Sequence, residues 1–402
     1  MFLKPEQQEA VDKLQSGMIL VANTGAGKSR TGIYWYFKEN GGAFINDDYQ
    51  PMKDPKDLYI ITTANKRDTH DWDRELSLYL LSTDPEVNYY HNKVVVNSWQ
   101  QIAKYKDISD AYFLFDEDHL TGSGAWVKTF LRIAQHNKWI ILTATPGDKY
   151  EDYGPVFVAN GYFRSIYEFK QKHLVYDYRP GWPRFVKCIG TTRLDRLKQR
   201  IIVRMNYEHD AEVHEKDILC EFDKELYKVV VKRRWDPYRN APIENASQFC
   251  YCLRKITNLD ESRIEACKQI VNEKNRVIIF YNHDPELELL KSVYWGKDIS
   301  VAELNGHAHE AIPSTPKWVY LVNYAAGAEA WECTKTDTVI FYSLNYSYKT
   351  MVQAAGRIDR RNTPFSDLYY YRLKSRAPID LAIEKCLKEK KTFNENTFAQ
   401  AL

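Results

Sequence analysis

Residues 22–29, which read Ala-Asn-Thr-Gly-Ala-Gly-Lys-Ser, have the pattern of a loop that binds phosphate, and they follow an apolar run at residues 18–22. Glycines let the backbone wrap around a phosphate, and the helix expected next directs its free N–H groups at the anion. Lys28 could reach the β- and γ-phosphates of a nucleotide, and the Ser29 hydroxyl could bind Mg²⁺. Ala22 stands where the strict pattern has glycine, and a plain glycine-rich turn is the alternative. We predict that a nucleotide binds Thr24, Gly25, Ala26, Gly27, Lys28 and Ser29.

A second chemical candidate is the run Asp-Glu-Asp-His at residues 116–119, which follows the apolar residues 111–115. Carboxylates at the end of a buried strand are costly unless they bind a cation or accept hydrogen bonds. Asp116 is placed to hold Mg²⁺ through a water molecule, and Glu117 is placed to orient and deprotonate an attacking water. A surface turn is the alternative. Because a phosphate loop precedes this run, we predict hydrolysis of a nucleoside triphosphate.

The second half of the chain offers arginines at a regular spacing. If residues 353–361 form a helix, Gln353, Arg357 and Arg360 share one face, and Gly356 lets that face approach another surface closely. Guanidinium groups that face a phosphate stabilise the charge of a phosphoryl-transfer transition state. The alternative is a basic helix face in solvent.

Short apolar runs that alternate with helical stretches must position these groups. In the first half they lie at residues 18–22, 58–62, 94–96, 112–115 and 139–142, and in the second half at 277–281, 318–322 and 338–342. Such runs predict parallel sheets with both faces covered, and ligands of these sheets bind at the carboxyl ends of the strands. Residues 150–270 show no comparable strand series. We predict an α/β fold with two lobes, residues 1–205 and 206–402.

Composition limits the class of protein. The chain has 402 residues, of which 44% are hydrophobic and 27% charged, which excludes a wholly disordered chain. Its apolar runs are too short to cross a bilayer, and seven cysteines in an odd, scattered set do not indicate disulfides. We expect a cytoplasmic protein, in the host cytoplasm if a phage encodes it, with no membrane partner. The chain has 56 basic and 54 acidic residues and no basic tail, so its composition alone does not indicate nucleic-acid binding.

The order of these motifs resembles superfamily 2 helicases and translocases, and within them the Swi/Snf-type ATPases in a compact phage or microbial form. The matching positions are Gln7, the loop at 22–29, the acidic run at 116–119, Thr-Ala-Thr at 143–145, and Gln-x-x-Gly-Arg-x-x-Arg at 353–360. Residues 3–7, 58–76, 96–99, 276–283 and 320–339 resemble further motifs of that family.

The resemblance implies two RecA-like lobes, each a mostly parallel sheet flanked by helices, with an ATP and Mg²⁺ site in the cleft between them. Gln7 would read adenine, Gln353 would join the nucleotide site, and Arg357 and Arg360 would act with Lys28 and Glu117 in catalysis. The residues that would couple hydrolysis to lobe movement are His119, Thr143 and Thr145; a helix cap is the alternative for Thr145.

The resemblance also implies contacts with a nucleic-acid backbone, mainly through residues 58–76, 96–99, 276–283 and 320–339. Hydroxyls such as those of Thr62, Thr63 and Ser98 would take part. Such contacts position a polymer without reading its sequence. Three departures from the family pattern are Asp118 in the acidic run, alanines at 326 and 328, and Arg-Asn-Thr at 361–363. The basic and aromatic residues within 228–239 suit a polynucleotide or a solvated helix face.

We therefore predict a monomeric, ATP-dependent DNA helicase or translocase that moves along duplex or branched DNA with little sequence preference, in recombination, replication or repair. An RNA helicase with the same motor is the nearest alternative. A P-loop phosphotransferase explains Lys28 and Asp116 but leaves the arginines without a role. A nucleotide-dependent clamp that binds DNA without stepping is a further alternative.

Overall fold

A computed structural model describes residues 3–23, 25–45, 48–117, 120, 124–147, 149–177, 184–205, 211–327, 331, 333–360 and 363–402. The chain divides into two units, Met1–Glu208 and His209–Leu402. No helix in this described part is both long and apolar enough to cross a lipid bilayer.

Strands of the first unit alternate with helices along the chain. In chain order the strands are β1 (Met18–Val21), β2 (Ala43–Ile45), β3 (Asp48–Gln50), β4 (Leu58–Thr62), β5 (Val94–Ser98), β6 (Tyr112–Asp116), β7 (Lys138–Thr143), β8 (Leu174–Asp177), β9 (Arg184–Cys188) and β10 (Ile202–Arg204). Six of these described strands form one parallel sheet in the order β10-β1-β7-β6-β4-β5. The carboxyl ends of β1, β7, β6 and β4 therefore lie side by side at one edge.

Helices cover both faces of this sheet. They are α1 (Pro5–Lys13), α2 (Lys28–Glu39), α3 (Ala64–Asp68), α4 (Asp73–Ser77), α5 (Ala125–Ala134), α6 (Gly154–Ala159), α7 (Ile166–His173) and α8 (Thr191–Ile201), with 3₁₀ helices at Trp99–Tyr105 and Tyr150–Tyr153. Alternate strand residues enter opposite cores: Leu20 packs with α1 and α2, whereas Ile19 packs with α5 and α8. Because both faces are buried, the strands are continuous apolar runs.

The second unit repeats the plan. Its strands are β11 (Glu212–Cys220), β12 (Trp235–Asp236), β13 (Ala241–Pro242), β14 (Arg276–Tyr281), β15 (Ser300–Leu304), β16 (Trp318–Asn323), β17 (Thr338–Phe341) and β18 (Asp367–Ser375). Its helices are α9 (Lys224–Arg233), α10 (Ala246–Asn258), α11 (Glu261–Glu273), α12 (Asp284–Ser292), α13 (Tyr324–Gly327), α14 (Tyr348–Ala355), α15 (Pro378–Lys388) and α16 (Glu395–Ala401). In the described chain, six strands form a second parallel sheet in the order β11-β18-β17-β14-β16-β15.

The predicted fold class is confirmed, since each lobe is a RecA-like parallel sheet with helices on its faces. The expectation for residues 150–270 needs correction, because β10 and β11 lie in this stretch and each forms the edge of a main sheet. β10 has only three residues, and β11 carries exposed charged and polar residues, so neither is an apolar run. An edge strand needs less apolar burial than a central one, which hides it from a search for hydrophobic runs.

Candidate nucleotide site at the strand ends of the first lobe

The loop between β1 and α2 has the backbone that a phosphate cradle needs. Gly27 has φ 88°, in the left-handed region, and it caps α2, which begins at Lys28. A Cβ at this position would lie 2.4 Å from Nε2 of Gln7, so both conformation and space call for glycine. Gly25 is left-handed as well, and Ala26 is fully buried. The predicted contact residue Thr24 lies outside the described residues.

Lys28 lies over this loop. Its Nζ donates hydrogen bonds to the carbonyl oxygens of Ala22, at 2.8 Å, and Asn23, at 3.0 Å. Ser29, half-buried, occupies the first turn of the same helix. An ammonium group, the N-terminus of a helix and a hydroxyl thus converge on one loop, which is the chemistry that binds phosphate and a metal ion.

Gln7 reaches the loop from α1. Its Nε2 donates to the carbonyl oxygen of Gly27 at 3.3 Å, and its Oε1 accepts from the backbone N–H of Lys4 at 3.0 Å. The side chain is buried, with 3% of its surface exposed. The structure therefore places Gln7 beside the loop, as the sequence pattern required, with its amide bonded to backbone groups.

The acidic run begins at the end of β6. Asp116 is buried, and its Oδ2 accepts hydrogen bonds from the Thr62 hydroxyl and from Lys66 Nζ, both at 2.8 Å. The same ammonium lies 3.7 Å from Oε1 of Glu117. Glu117 itself has φ 59°, which turns the chain sharply out of the strand. Two carboxylates and one cation therefore share the end of β6.

Strand β7 joins the phosphate loop to the acidic run. The N–H of Ala22 donates to the carbonyl oxygen of Thr143 at 3.1 Å, and the N–H of Glu117 donates to that of Leu142 at 2.9 Å. Neighbouring strands lie about 4.8 Å apart, so the ends of β1 and β6 are separated by roughly 10 Å. This gap suits a triphosphate that touches both.

The Thr-Ala-Thr segment lies between these two elements. The Thr143 hydroxyl accepts a hydrogen bond from the N–H of Thr145 at 3.1 Å. Within the described structure, the buried hydroxyl of Thr145 has no hydrogen-bond partner. An unsatisfied buried hydroxyl is costly and marks a place where a ligand or another conformation supplies the partner. His119, the other predicted coupling residue, lies outside the described residues.

The hydroxyls expected to contact nucleic acid have other partners here. Thr62 donates to Asp116, Thr63 accepts from the N–H of Lys66 as the cap of α3, and Ser98 accepts from Arg67 at 3.3 Å. All three side chains are buried, and Thr62 is fully so. In this conformation the three hydroxyls are bonded to neighbouring groups of the first lobe. Their contact with nucleic acid stays a prediction.

Lys66 is a site residue that sequence reasoning missed. It lies within α3, four residues after β4 ends, and its side chain reaches back across the sheet edge to Asp116. The available signal was a lysine shortly after a strand that neighbours the acidic strand. Only the strand order shows that β4 and β6 are adjacent.

The arginines of the second lobe are arranged differently from the predicted helix. α14 ends at Ala355, so Arg357 and Arg360 lie beyond it, in a turn and an irregular segment. The helix was expected to continue, but it ends before Gly356, whose φ of −66° is not left-handed. Arg361 lies outside the described residues.

Both arginines nonetheless meet at one carbonyl. Arg357 donates through Nε to Gln353 O at 2.9 Å and through Nη1 to Trp331 O at 2.6 Å, and Arg360 Nη2 lies 3.4 Å from that same Trp331 oxygen. Gln353 and Arg357 are buried, whereas Arg360 is half-buried. Arg360 is therefore the more accessible of the two guanidinium groups.

A groove lies at the carboxyl ends of β14, β15 and β16 in the second lobe. Its charged lining residues in the described chain are acidic, namely Asp284, Glu288 and Glu303. Residues 276–283 and 320–339 were expected to contact nucleic acid near here, and carboxylates repel phosphates. This groove therefore does not favour a phosphate backbone.

A cluster outside the first lobe has the composition of a metal site. Glu212, His214 and Asp367 each place one ligand atom within 4.8 Å of the others, at the edge of the second sheet. His214 Nε2 lies 2.7 Å from Asp367 Oδ1, within hydrogen-bonding distance. This hydrogen bond explains why the two side chains lie together.

No protein-family model matches the sequence, and no curated protein matches it. Among solved structures the chain is similar to the Sulfolobus solfataricus SWI2/SNF2 ATPase core in complex with dsDNA. The two are 15% identical with a TM-score of 0.42, over 100% of this chain and 92% of that chain. Since this likeness is distant, the function must be argued from the residues of this chain.

Proposed function

We propose that the protein is an ATPase whose activity nucleic acid stimulates, and that it acts as a DNA helicase or translocase of the Swi/Snf type. The observation that carries this proposal is the junction at β7, whose terminal carbonyls accept hydrogen bonds from both Ala22 and Glu117. It fixes a phosphate loop and a pair of carboxylates on either side of one strand. That pairing is what hydrolysis of a nucleoside triphosphate requires.

The first lobe would bind ATP and Mg²⁺. Lys28 would leave the loop carbonyls for the phosphates, and Gln7 would approach the base. Ser29 and Asp116 would hold the metal, Asp116 through a water molecule; the ammonium already on its Oδ2 shows that this position accepts a cation. When bound, Mg²⁺ would neutralise phosphate charge.

Glu117 would act as the general base. Its carboxylate follows Asp116 directly, and its left-handed backbone turns it out of the strand direction. A base must lie within hydrogen-bonding reach of the water whose proton it takes. Glu117 would hold that water in line with the terminal phosphate and remove its proton.

The second lobe would complete the site. We propose that Gln353, Arg357 and Arg360 from the lobe 206–402 contribute to the ATP site of the lobe 1–205. Arg360 is half-buried, whereas Arg357 is buried and donates to Gln353 O and Trp331 O. Because its guanidinium group is more accessible, Arg360 is the better candidate for the group that stabilises transition-state charge.

Duplex or branched DNA is the proposed polymer, bound by a monomer with little sequence preference. An affinity built on phosphate contacts falls steeply with salt. His119, Thr143 and Thr145 would link hydrolysis to stepping. Two observations support this role: the buried hydroxyl of Thr145 has no hydrogen-bond partner among the described residues, and the N–H of Thr145 donates to the hydroxyl of Thr143 at the end of β7.

The test is ATP turnover measured alone and with single-stranded, duplex, forked and four-way DNA, and with RNA. We expect duplex or branched DNA to stimulate turnover more than RNA does. Glu117→Gln should abolish the stimulated rate. Glu39→Gln, the same change at a carboxylate paired with Lys138, the first residue of β7, should not. Turnover that no polynucleotide changes would contradict the proposal and favour a phosphotransferase.

A further inference from the structure

Lys66 holds the carboxylate that the proposed function assigns to Mg²⁺. Its Nζ lies 2.8 Å from Oδ2 of Asp116 and 3.7 Å from Oε1 of Glu117. Asp116 has 1% of its surface exposed, so the ammonium is a principal source of positive charge for a buried anion.

The ammonium of Lys66 opposes a metal ion at Asp116. Oδ2 accepts from Thr62 and from Lys66, so a metal-bound water can donate to Oδ1, or to Oδ2 in place of one of these donors. At either oxygen the nearby ammonium repels Mg²⁺, so release of Lys66 favours metal binding.

The position of Lys66 links this carboxylate to the outer surface. It lies in the short helix α3, between the buried cap Thr63 and the partly exposed Arg67, and 22% of its own side chain is exposed. A polynucleotide phosphate that reaches α3 offers the ammonium a second anion. Lysine can exchange between the two anions by side-chain rotation, because its stem is long and flexible.

We propose that Lys66 is a positioning residue that competes with Mg²⁺ for Asp116 and is drawn away from it by a nucleic-acid phosphate. The inference rests on the proposed function and deepens it, since it names how the polymer prepares the metal site. Metal and polynucleotide then bind with positive coupling. By linkage each raises the affinity of the other by the same factor.

The experiment measures the affinity of Mn²⁺, by electron paramagnetic resonance, in the presence of a non-hydrolysable ATP analogue, with and without duplex DNA. In the wild-type protein DNA should tighten Mn²⁺ binding. In Lys66→Gln, Mn²⁺ should bind roughly tenfold more tightly without DNA, because a nearby positive charge is gone, and DNA should add nothing. Lys66→Arg, which keeps the charge, should restore the response to DNA.

Lys56→Gln is the matched control. Lys56 precedes β4, at the opposite end of the strand from Lys66, and pairs with Asp110 and Asp54. The Lys56→Gln variant loses the same charge as Lys66→Gln, but its Mn²⁺ affinity with and without DNA should equal that of the wild type. Equal Mn²⁺ affinity in wild type and Lys66→Gln, or a response to DNA that survives in Lys66→Gln, would overturn the role of Lys66.

Two further outcomes separate this inference from the function beneath it. If the wild type binds no Mn²⁺ with the ATP analogue, the nucleotide site itself is wrong. If Lys66→Gln does not fold, the effect of DNA on Mn²⁺ affinity in the wild type, Lys66→Arg and Lys56→Gln still tests the proposal. Mn²⁺ affinity that DNA leaves unchanged in the wild type would then overturn the proposal.

Discussion

The two lobes use buried charge in opposite ways. In the first lobe, Asp116 lies at the open end of a strand with one oxygen held by Thr62 and Lys66. In the second lobe, Arg263 is fully buried and donates to the carbonyl oxygens of Thr257, Tyr342 and Leu373 and to the carboxylate of Asp380. Through these four acceptors the guanidinium group connects α11 to α15, to β18 and to the residue after β17.

The comparison teaches how a buried charge is to be interpreted. A buried charge held by several hydrogen-bond partners away from any strand-end site indicates a structural role, whereas a buried carboxylate at the carboxyl end of a strand, beside a phosphate loop, suits chemistry. Asp380 fits the first class, since its Oδ2 also accepts from the N–H and the hydroxyl of Ser375. Asp116 fits the second.

The largest expected effect is on stability in the second lobe. Arg263→Met should lower the free energy of unfolding by about 3–5 kcal/mol, because it leaves the Asp380 carboxylate buried without its cation. Urea denaturation measures the loss. Arg276→Met, at an arginine bonded only through exposed contacts to Pro316 O and Lys335 O, is the control and should cost far less. Equal losses would break the distinction between the two kinds of charge.

In the first lobe, Gly27→Ala should cause the next largest loss in the free energy of unfolding. The left-handed backbone costs alanine about 1–2 kcal/mol, and the new Cβ would lie 2.4 Å from Gln7 Nε2. ATP binding, measured with a fluorescent analogue, should fall with stability. Gly161→Ala has a similar φ of 74° but nothing within 4 Å of the new Cβ, so it should show the backbone cost without loss of nucleotide binding.

A pH effect should follow from His283 in the second lobe. Burial and then repulsion by Arg254 hold its pKa below the usual value of 6.5, against the smaller opposing influence of Glu286 and Asp284. Below pH 6.5 the unfolded chain binds a proton that the folded chain resists, so stability should be lost as pH falls through this region. His283→Gln should lose less stability between about pH 7.5 and pH 5.5 than the wild type does. An equal loss in both proteins would show that His283 is not the cause.

The smallest effect on stability is expected for Thr145→Val in the first lobe. The hydroxyl it removes is buried and has no partner in the described structure, so the free energy of unfolding should change by less than about 1 kcal/mol. Stimulation of ATP turnover by DNA should nonetheless fall, if Thr145 couples hydrolysis to the polymer. Loss of stability with unchanged stimulation would assign Thr145 to the fold alone.

Local patterns explain how much of this molecule could be predicted from the sequence. The phosphate loop and the central strands carry their signals within a few residues, so both the fold class and the place of Lys28 followed from them. The bond between Lys66 and Asp116 joins residues 50 apart in sequence and depends on strand order, which no local pattern encodes.

Two further features, the end of α14 and the direction of the Thr62 side chain, also depend on packing and could not be predicted from the sequence. Helix α14 ends at Gly356 although the i,i+4 spacing of Gln353 and Arg357 fits a helix, because the end of a helix depends on the residues beyond it and their packing. The hydroxyl of Thr62 points to Asp116, and the direction of a side chain at the end of a strand depends on register. Both are properties of packing that spacing alone does not fix.

The most direct test of the central claim is single-turnover ATP hydrolysis on duplex DNA by Arg360→Gln, compared with the wild type and with Arg372→Gln, a change in β18 at an arginine paired with Glu215 and Asp217. If the second lobe completes a site begun by Lys28, Asp116 and Glu117, the rate in Arg360→Gln should fall by about 10³-fold while ATP affinity changes little. Arg372→Gln should hydrolyse ATP as the wild type does. A wild-type rate in Arg360→Gln would contradict the claim that the two lobes share one catalytic site.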